Sequence, residues 1–133
     1  MDNQLIYLDT NVLMDFLMDR NSFAYSLIRK SLKCYYTIVI SNLVFEELRF
    51  NNFETEAINI SRLLNDSKKL VSCIVTDNDI AKAKLLTAQY KTHFSDALHK
   101  VLFIKSGAKI LVTQNVRDFV CFHDIKVLKP DAL

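Results

Sequence analysis

One glycine and one proline in 133 residues leave little room for long irregular loops or linkers, and no repeat or low-complexity tract interrupts the chain. Cysteine is also scarce. Cys34, Cys73 and Cys121 are odd in number, form no CxxC pair, and fall in or beside stretches that read as buried or half-buried. A disulfide framework or zinc site is therefore not expected, and a reducing cytoplasm is the simpler setting. No apolar run approaches the roughly 20 residues that cross a bilayer, so no membrane role is expected. The opening MDNQLIYLD lacks a basic n-region, and its apolar run is too short for a secretory signal. Excess charge of one sign is missing too, with 17 basic and 15 acidic residues giving +2.

What is present is apolar: half of the residues, enough for a sizeable core in one domain spanning 1–133. Short β-branched runs alternate with longer helical patterns. Strands are expected at 5–8 (LIYL), 36–40 (YTIVI), 70–75, 109–112 (KILV) and, shorter, 125–128. Asp9-Thr10-Asn11 starts a helix with Val12, Leu13, Phe16 and Leu17 on one face. A second helix, 22–32, turns Phe23, Leu27 and Ile28 inward, and Ser41-Asn42 caps a third that carries Glu46 and Glu47. Helix 54–65 has Ala57, Ile58, Ile60, Leu63 and Leu64 as its apolar set. Thr76-Asp77 opens a helix to about Tyr90, and Ser95-Asp96 opens one ending at Gly107, where a C-cap is expected. Such alternation implies right-handed crossovers and an α/β sandwich whose central, mostly parallel sheet of four to five strands is covered on both faces.

Ligands bind such sheets at the carboxyl ends of the strands. Four acids are placed to reach that edge: Asp9 directly after the first strand, Glu47 about two helical turns beyond the second, Asp96 opening a helix, and Asp118 a short turn after the fourth strand. Convergent carboxylates repel and raise each other's pKa, and a divalent cation turns that repulsion into binding. Setting the four aside leaves 11 acids against 17 bases, a basic body that suits a phosphate-rich substrate. Taken singly, Asp9 and Asp96 also read as helix N-caps, worth about 1 kcal/mol each, and Asp118 beside Arg117 as a turn residue.

LDTNVLMDF (8–16), SNLVFEEL (41–48), SDALH (95–99) and ILVTQNVRDF (110–119) resemble, in order and spacing, the four signature segments of PIN domains, among them the VapC-type toxins of toxin–antitoxin pairs. The resemblance covers nearly the whole chain and implies a three-layer α/β/α sandwich and a ribonuclease using Mg²⁺ or Mn²⁺. It places the family's acids on Asp9, Glu47 (rather than Glu46), Asp96 and Asp118, as metal ligands and catalytic residues. Asp9 and Asp96 would be the primary ligands, Glu47 a ligand or orienter of the attacking water, and Asp118 an outer ligand for a second ion. Thr10, Asn11, Thr113 and Asn115 would support the carboxylates or contact the substrate. Some PIN domains carry an acid where this chain has Asn115, which makes the fourth position a departure from the pattern. The resemblance further implies an RNA substrate, a homodimer and a cognate antitoxin.

The remaining charged groups read more plainly. Glu46, Asp15, Asp19, Asp77 and Asp79 are expected at the surface. His93, His99 and His123 share no ligand spacing; His99, one turn beyond Asp96, reads as a partly buried structural residue or as a phosphate contact. Arg29-Lys30-Lys33, Lys68-Lys69, Lys82-Lys84 and Lys100-Lys105 read as solvated faces. The apolar stretches 13–18 and 43–53 exceed obvious core needs or simply pack. Two competitors remain: a non-catalytic PIN-like module binding RNA or protein, and a receiver-type signalling domain. The second would want paired acids near the start and an Asp after the third strand, where this chain has Thr76.

Overall fold

The computed structural model describes residues 3–33 and 35–133. Strands β1 (Gln4–Leu8), β2 (Tyr36–Ser41), β3 (Leu70–Cys73), β4 (Ile110–Val112) and β5 (Val127–Leu128) form one sheet in the order β3-β2-β1-β4-β5. Every neighbouring pair is parallel, so the expected mostly parallel sheet is wholly so. Between the strands run α1 (Thr10–Leu17), α2 (Ser22–Leu32), α3 (Asn42–Phe50), α4 (Glu54–Asp66), α5 (Asp77–Tyr90) and α6 (Phe94–Ser106), with short 3₁₀ turns at Val116–Phe119 and Pro130–Ala132.

Strand parity divides the core into two layers. Ile6 and Leu8, Ile38 and Ile40, Ile110 and Val112 face one side, packed against Val12, Leu13, Ala24, Leu27, Ile28, Val44, Leu48 and Leu64 of α1 to α4. The intervening Tyr7, Val39 and Leu111 face the other, against Ala83 of α5 and Ala97, Val101 and Leu102 of α6. Both faces of the central strands are thus buried, which explains their nearly continuous apolar sequence.

Several local expectations shift. β3 stops at Cys73 because β2, its only neighbour among the described residues, supplies its last partner there in Ser41, and Ile74 is left largely exposed. β5 is cut to the two residues that β4 can pair. α6 begins at Phe94 with His93 in the N-cap place, so Asp96 lies in the first turn and does not cap it. Phe23 is 51% exposed; the helical period inward is Ala24, Leu27, Ile28 and Ser31. In α4 the buried set is Ala57, Ile60 and Leu64, leaving Ile58 and Leu63 exposed.

Four charges expected in water are also pulled in, Lys69 at 8% exposed among them. Asp79 is 4% exposed, because it completes a capping box with Thr76 at the start of α5 and receives Lys105 Nζ at 2.7 Å. Lys100 is buried against Asp124, 3.0 Å away, with its ammonium 4.9 Å from the Phe122 ring centre. Asp15 is half-buried and pairs with Arg20 at 2.9 Å.

Gly107 ends α6 with φ +76°, as its position suggested. Having no other glycine, the chain ends α1, α3, α4 and α5 through Asp19, Asn52, Lys68 and Lys91, all at positive φ. Cys73 is buried and Cys121 half-buried, both as free thiols; Cys34 lies outside the described residues. Among the described residues no helix is long and apolar enough to cross a membrane.

Candidate active site

Strand order reverses direction between β1 and β4, the switch point at which open α/β sheets leave a crevice at the strands' carboxyl ends. Asp9 sits there. Its backbone N–H donates to the Val112 carbonyl at 2.9 Å, fixing it beside the end of β4. Its backbone is extended and its Oδ1 accepts the Thr10 N–H at 2.7 Å, so it does cap α1. The other oxygen, Oδ2, accepts the Thr113 hydroxyl at 2.8 Å and the Asn11 side-chain amide at 3.3 Å.

Asn11 and Thr113 stitch the two loops together. The Asn11 amide also donates to Thr113 Oγ1 (3.2 Å), while Asn11 Oδ1 accepts the Gln114 N–H (3.1 Å). Thr113 Oγ1 in turn accepts the Asn115 N–H at 3.0 Å. The D-T-N and T-Q-N segments are therefore one hydrogen-bonded unit around a single carboxylate. Thr10 is buried, with its hydroxyl unpartnered among the described residues. Asn115 contributes through its backbone, and its residue is exposed.

Glu47 projects from α3, whose start is held by Ser41 Oγ accepting the Val44 N–H. Its Oε1 lies 3.1 Å from His99 Nε2. Burial alone would raise the Glu47 carboxyl, but the hydrogen bond and charge of His99 hold it below its ordinary value. The neighbouring Glu46 points outward to Arg49, as expected of a solvated charge.

Asp96 is half-buried in the first turn of α6. Burial, then the negative charges of Asp118 and Asp9, push its carboxyl up to about 6. That perturbation is the electrostatic trace of three acids sharing one region. Asp118 is exposed in the 3₁₀ turn Val116–Phe119, beside a cleft of about 510 Å³ that also presents Arg117 and Lys129. A groove of about 600 Å³ between α5 and α6 includes none of the four acids.

The sequence left His99 as a partly buried structural residue or a phosphate contact, and did not link it to the acids' side chains. It is 1% exposed, and its Nε2 lies between Glu47 Oε1 at 3.1 Å and Asp9 Oδ1 at 3.3 Å. Nδ1 meets the buried Tyr7 hydroxyl at 2.7 Å, and that hydroxyl meets Ser41 Oγ at 3.2 Å. Burial alone would lower the pKa of His99, but Glu47, Asp9 and Asp96 raise it above its ordinary value. Burial raises the Tyr7 phenol well above its usual range. The one sequence hint was the three-residue step from Asp96 to His99. His93 and His123 are exposed.

The family model of the PIN domain matches residues 6–125, almost the whole chain and a span within which the four acids lie. The chain belongs to the PIN domain family. No curated protein matches it in sequence. Among solved structures it is similar to VapBC2 from Rickettsia felis bound to a DNA fragment from their promoter, with a TM-score of 0.68 at 20% identity over 95% of this chain and 98% of that one. VapBC-1 from nontypeable Haemophilus influenzae gives 0.68 at 16% identity, covering 96% and 99%. A toxin-antitoxin complex from Klebsiella pneumoniae gives 0.62 at 19%, covering 94% and 97%. At such identities the likeness establishes the PIN fold.

The residues suit a hard cation by type. Asp9, Glu47, Asp96 and Asp118 offer only carboxylate oxygens, the donors that Mg²⁺ and Mn²⁺ prefer, and Asp96 is raised first by burial and then by the charges of Asp118 and Asp9. Among the described residues, no three His, Cys, Asp or Glu side chains are drawn together as closely as a bound ion requires. Asp9 and Glu47 instead converge on His99, whose charged form the Asp96 carboxylate also favours.

Proposed function

We propose that this PIN domain is a metal-dependent endoribonuclease acting in the cytoplasm, the toxin half of a VapBC-type toxin–antitoxin pair. The observation that carries the reading is the meeting of Asp9 and Glu47 at the switch-point edge, 3.3 and 3.1 Å from His99 Nε2, near enough to Asp96 that burial, Asp118 and Asp9 push its carboxyl up to about 6. The solved structures similar in fold include toxin–antitoxin complexes, which supports an antitoxin as partner.

Asp9, Asp96 and Glu47 would hold Mg²⁺ or Mn²⁺, with Asp118 at the outer edge. Such an ion, when bound, acidifies a water and neutralises charge on a phosphodiester. The protein's own part is orientation. Thr113 and Asn11 lock Asp9 Oδ2, so that carboxylate cannot swing away from the strand end. Glu47, on α3, would act as a ligand or orient a water for in-line attack on phosphorus. Arg117 and Lys129 beside Asp118 offer charge to the flanking phosphates of an RNA strand. The exposed Phe50 on α3 and Met18 at the end of α1 leave apolar surface for a second copy and an antitoxin.

An RNA cleavage assay with Mg²⁺ or Mn²⁺ tests the proposal. Wild type is expected to cut, and Asp9→Asn and chelator are each expected to abolish cutting. A wild type that binds RNA and no divalent ion would instead favour a non-catalytic PIN-like module, to which the exposed Asn115, standing where some PIN domains place an acid, already lends weight.

A further inference from the structure

We infer that His99 is a positioning residue: Tyr7 and Ser41 aim its Nε2–H at Glu47, 3.1 Å away, with Asp9 Oδ1 3.3 Å from the same nitrogen, setting the two carboxylates for a divalent cation. The inference rests on the metal-dependent reading above. Its basis is geometric. Filling space between β1 and α6 would need only a leucine, and burying an imidazole without hydrogen bonds is costly. Here every polar atom of the ring is committed, and the chain Ser41–Tyr7–His99 joins residues 34 and 92 positions apart. Carboxylates only accept, so Nε2 must be the donor in either protonation state. With a neutral ring, Ser41 donates to Tyr7, Tyr7 to Nδ1, and Nε2–H to Glu47. With a protonated ring the Tyr7 bond reverses and the Nε2 bond does not. Ser41 also caps α3, the helix that carries Glu47. One hydrogen-bonded chain therefore fixes both the start of that helix and the side chain it delivers, and it ties Glu47 to Asp9 across the crevice.

Two substitutions separate a donor from a space-filler. In His99→Asn the amide still reaches Tyr7 but ends short of the carboxylates; in His99→Gln an N–H reaches the position of Nε2. The readout is the Mn²⁺ dissociation constant by titration calorimetry on protein shown folded by circular dichroism. Asn is expected to weaken binding by about tenfold or more, and Gln to stay within about threefold of wild type. Tyr7→Phe, which keeps the ring and removes only the hydroxyl, is expected to fall between them, and it carries the test should His99→Asn not fold. Wild-type affinity in His99→Asn, or in Tyr7→Phe where that variant stands alone, overturns the inference and leaves the metal-dependent reading intact; so does equal weakening by Asn and Gln. A wild type that binds no Mn²⁺ overturns both.

Discussion

Replacing Asp96 by asparagine should make the protein more stable in the absence of divalent metal and, on the proposed reading, abolish metal binding. A carboxyl held at about 6 instead of 3.8 resists ionisation in the fold, and at 1.36 kcal/mol per tenfold that corresponds to about 3 kcal/mol. Asp96 is only half-buried, so solvent screening reduces the figure to about 1–2 kcal/mol. The sign follows from the raised value. Below about 3.8 the group is protonated folded or unfolded, and no cost arises. Between 3.8 and about 6 the unfolded chain gives up its proton first, so stability falls as pH rises, and above 6 the full cost is present. Asparagine resembles the protonated acid in shape and never ionises. In chelator at pH 7.5, Asp96→Asn should therefore unfold in urea with about 1–2 kcal/mol more stability than wild type, a gain of roughly 3–8 °C in Tm. The gain should shrink toward zero near pH 4. If the proposed metal-dependent reading holds, saturating Mg²⁺ or Mn²⁺ should reverse the order, because only wild type would gain by binding. A variant less stable than wild type in chelator at pH 7.5, or a difference that ignores pH, would refute the reasoning.

Asp79→Ala should cost about 2 kcal/mol, since it removes the Thr76 capping box and leaves Lys105 without its carboxylate. Burial alone would raise Asp79, but Lys105 and Thr76 hold it below its ordinary 3.8, so its contribution is complete above that pH and lost as pH falls through the folded value; urea melts at pH 7 and pH 2.5 should show the mutational gap closing. Lys91→Gly should stabilise by about 1 kcal/mol, because Lys91 ends α5 at φ 54°, where a side chain is strained and glycine is not. A drop in Tm for Lys91→Gly would mean that the lysine side chain outweighs the backbone strain.

Element order was legible because strands buried on both faces must be written in β-branched and aliphatic residues, and the helices between them are long enough to show a period. Phase within a helix was less so. Phe23 and Ala24 are adjacent, and only the position of the sheet decides that Ala24 goes inward. The same ambiguity was resolved for Glu46 and Glu47 by counting from Ser41, and the structure separates them as that count requires: one faces Arg49, the other His99. Asp79 and Lys100 were misread as solvated because their partners, Lys105 and Asp124, lie 26 and 24 residues away and no local pattern links them. The link from Tyr7 to His99 was hidden for a related reason. A tyrosine inside an apolar strand reads as core, and nothing in the local pattern reveals that its hydroxyl serves a histidine 92 residues on.

Strand register and site register are in fact the same property here. Along β1, Ile6 and Leu8 turn toward α1 to α4 while Tyr7 turns toward α6, and extended backbone continues that alternation through Asp9. Asp9 therefore emerges on the side of the sheet where His99 waits, directly beyond the tyrosine that orients it. A one-residue slip of β1 would put Leu8 in the place of Tyr7, leave His99 Nδ1 without its hydroxyl, and turn the acid toward the opposite layer. The apolar pairing of Tyr7 with Val39 and Leu111 resists that slip and so aims the first carboxylate. Mutations that loosen these strand contacts should damage the site before they unfold the domain.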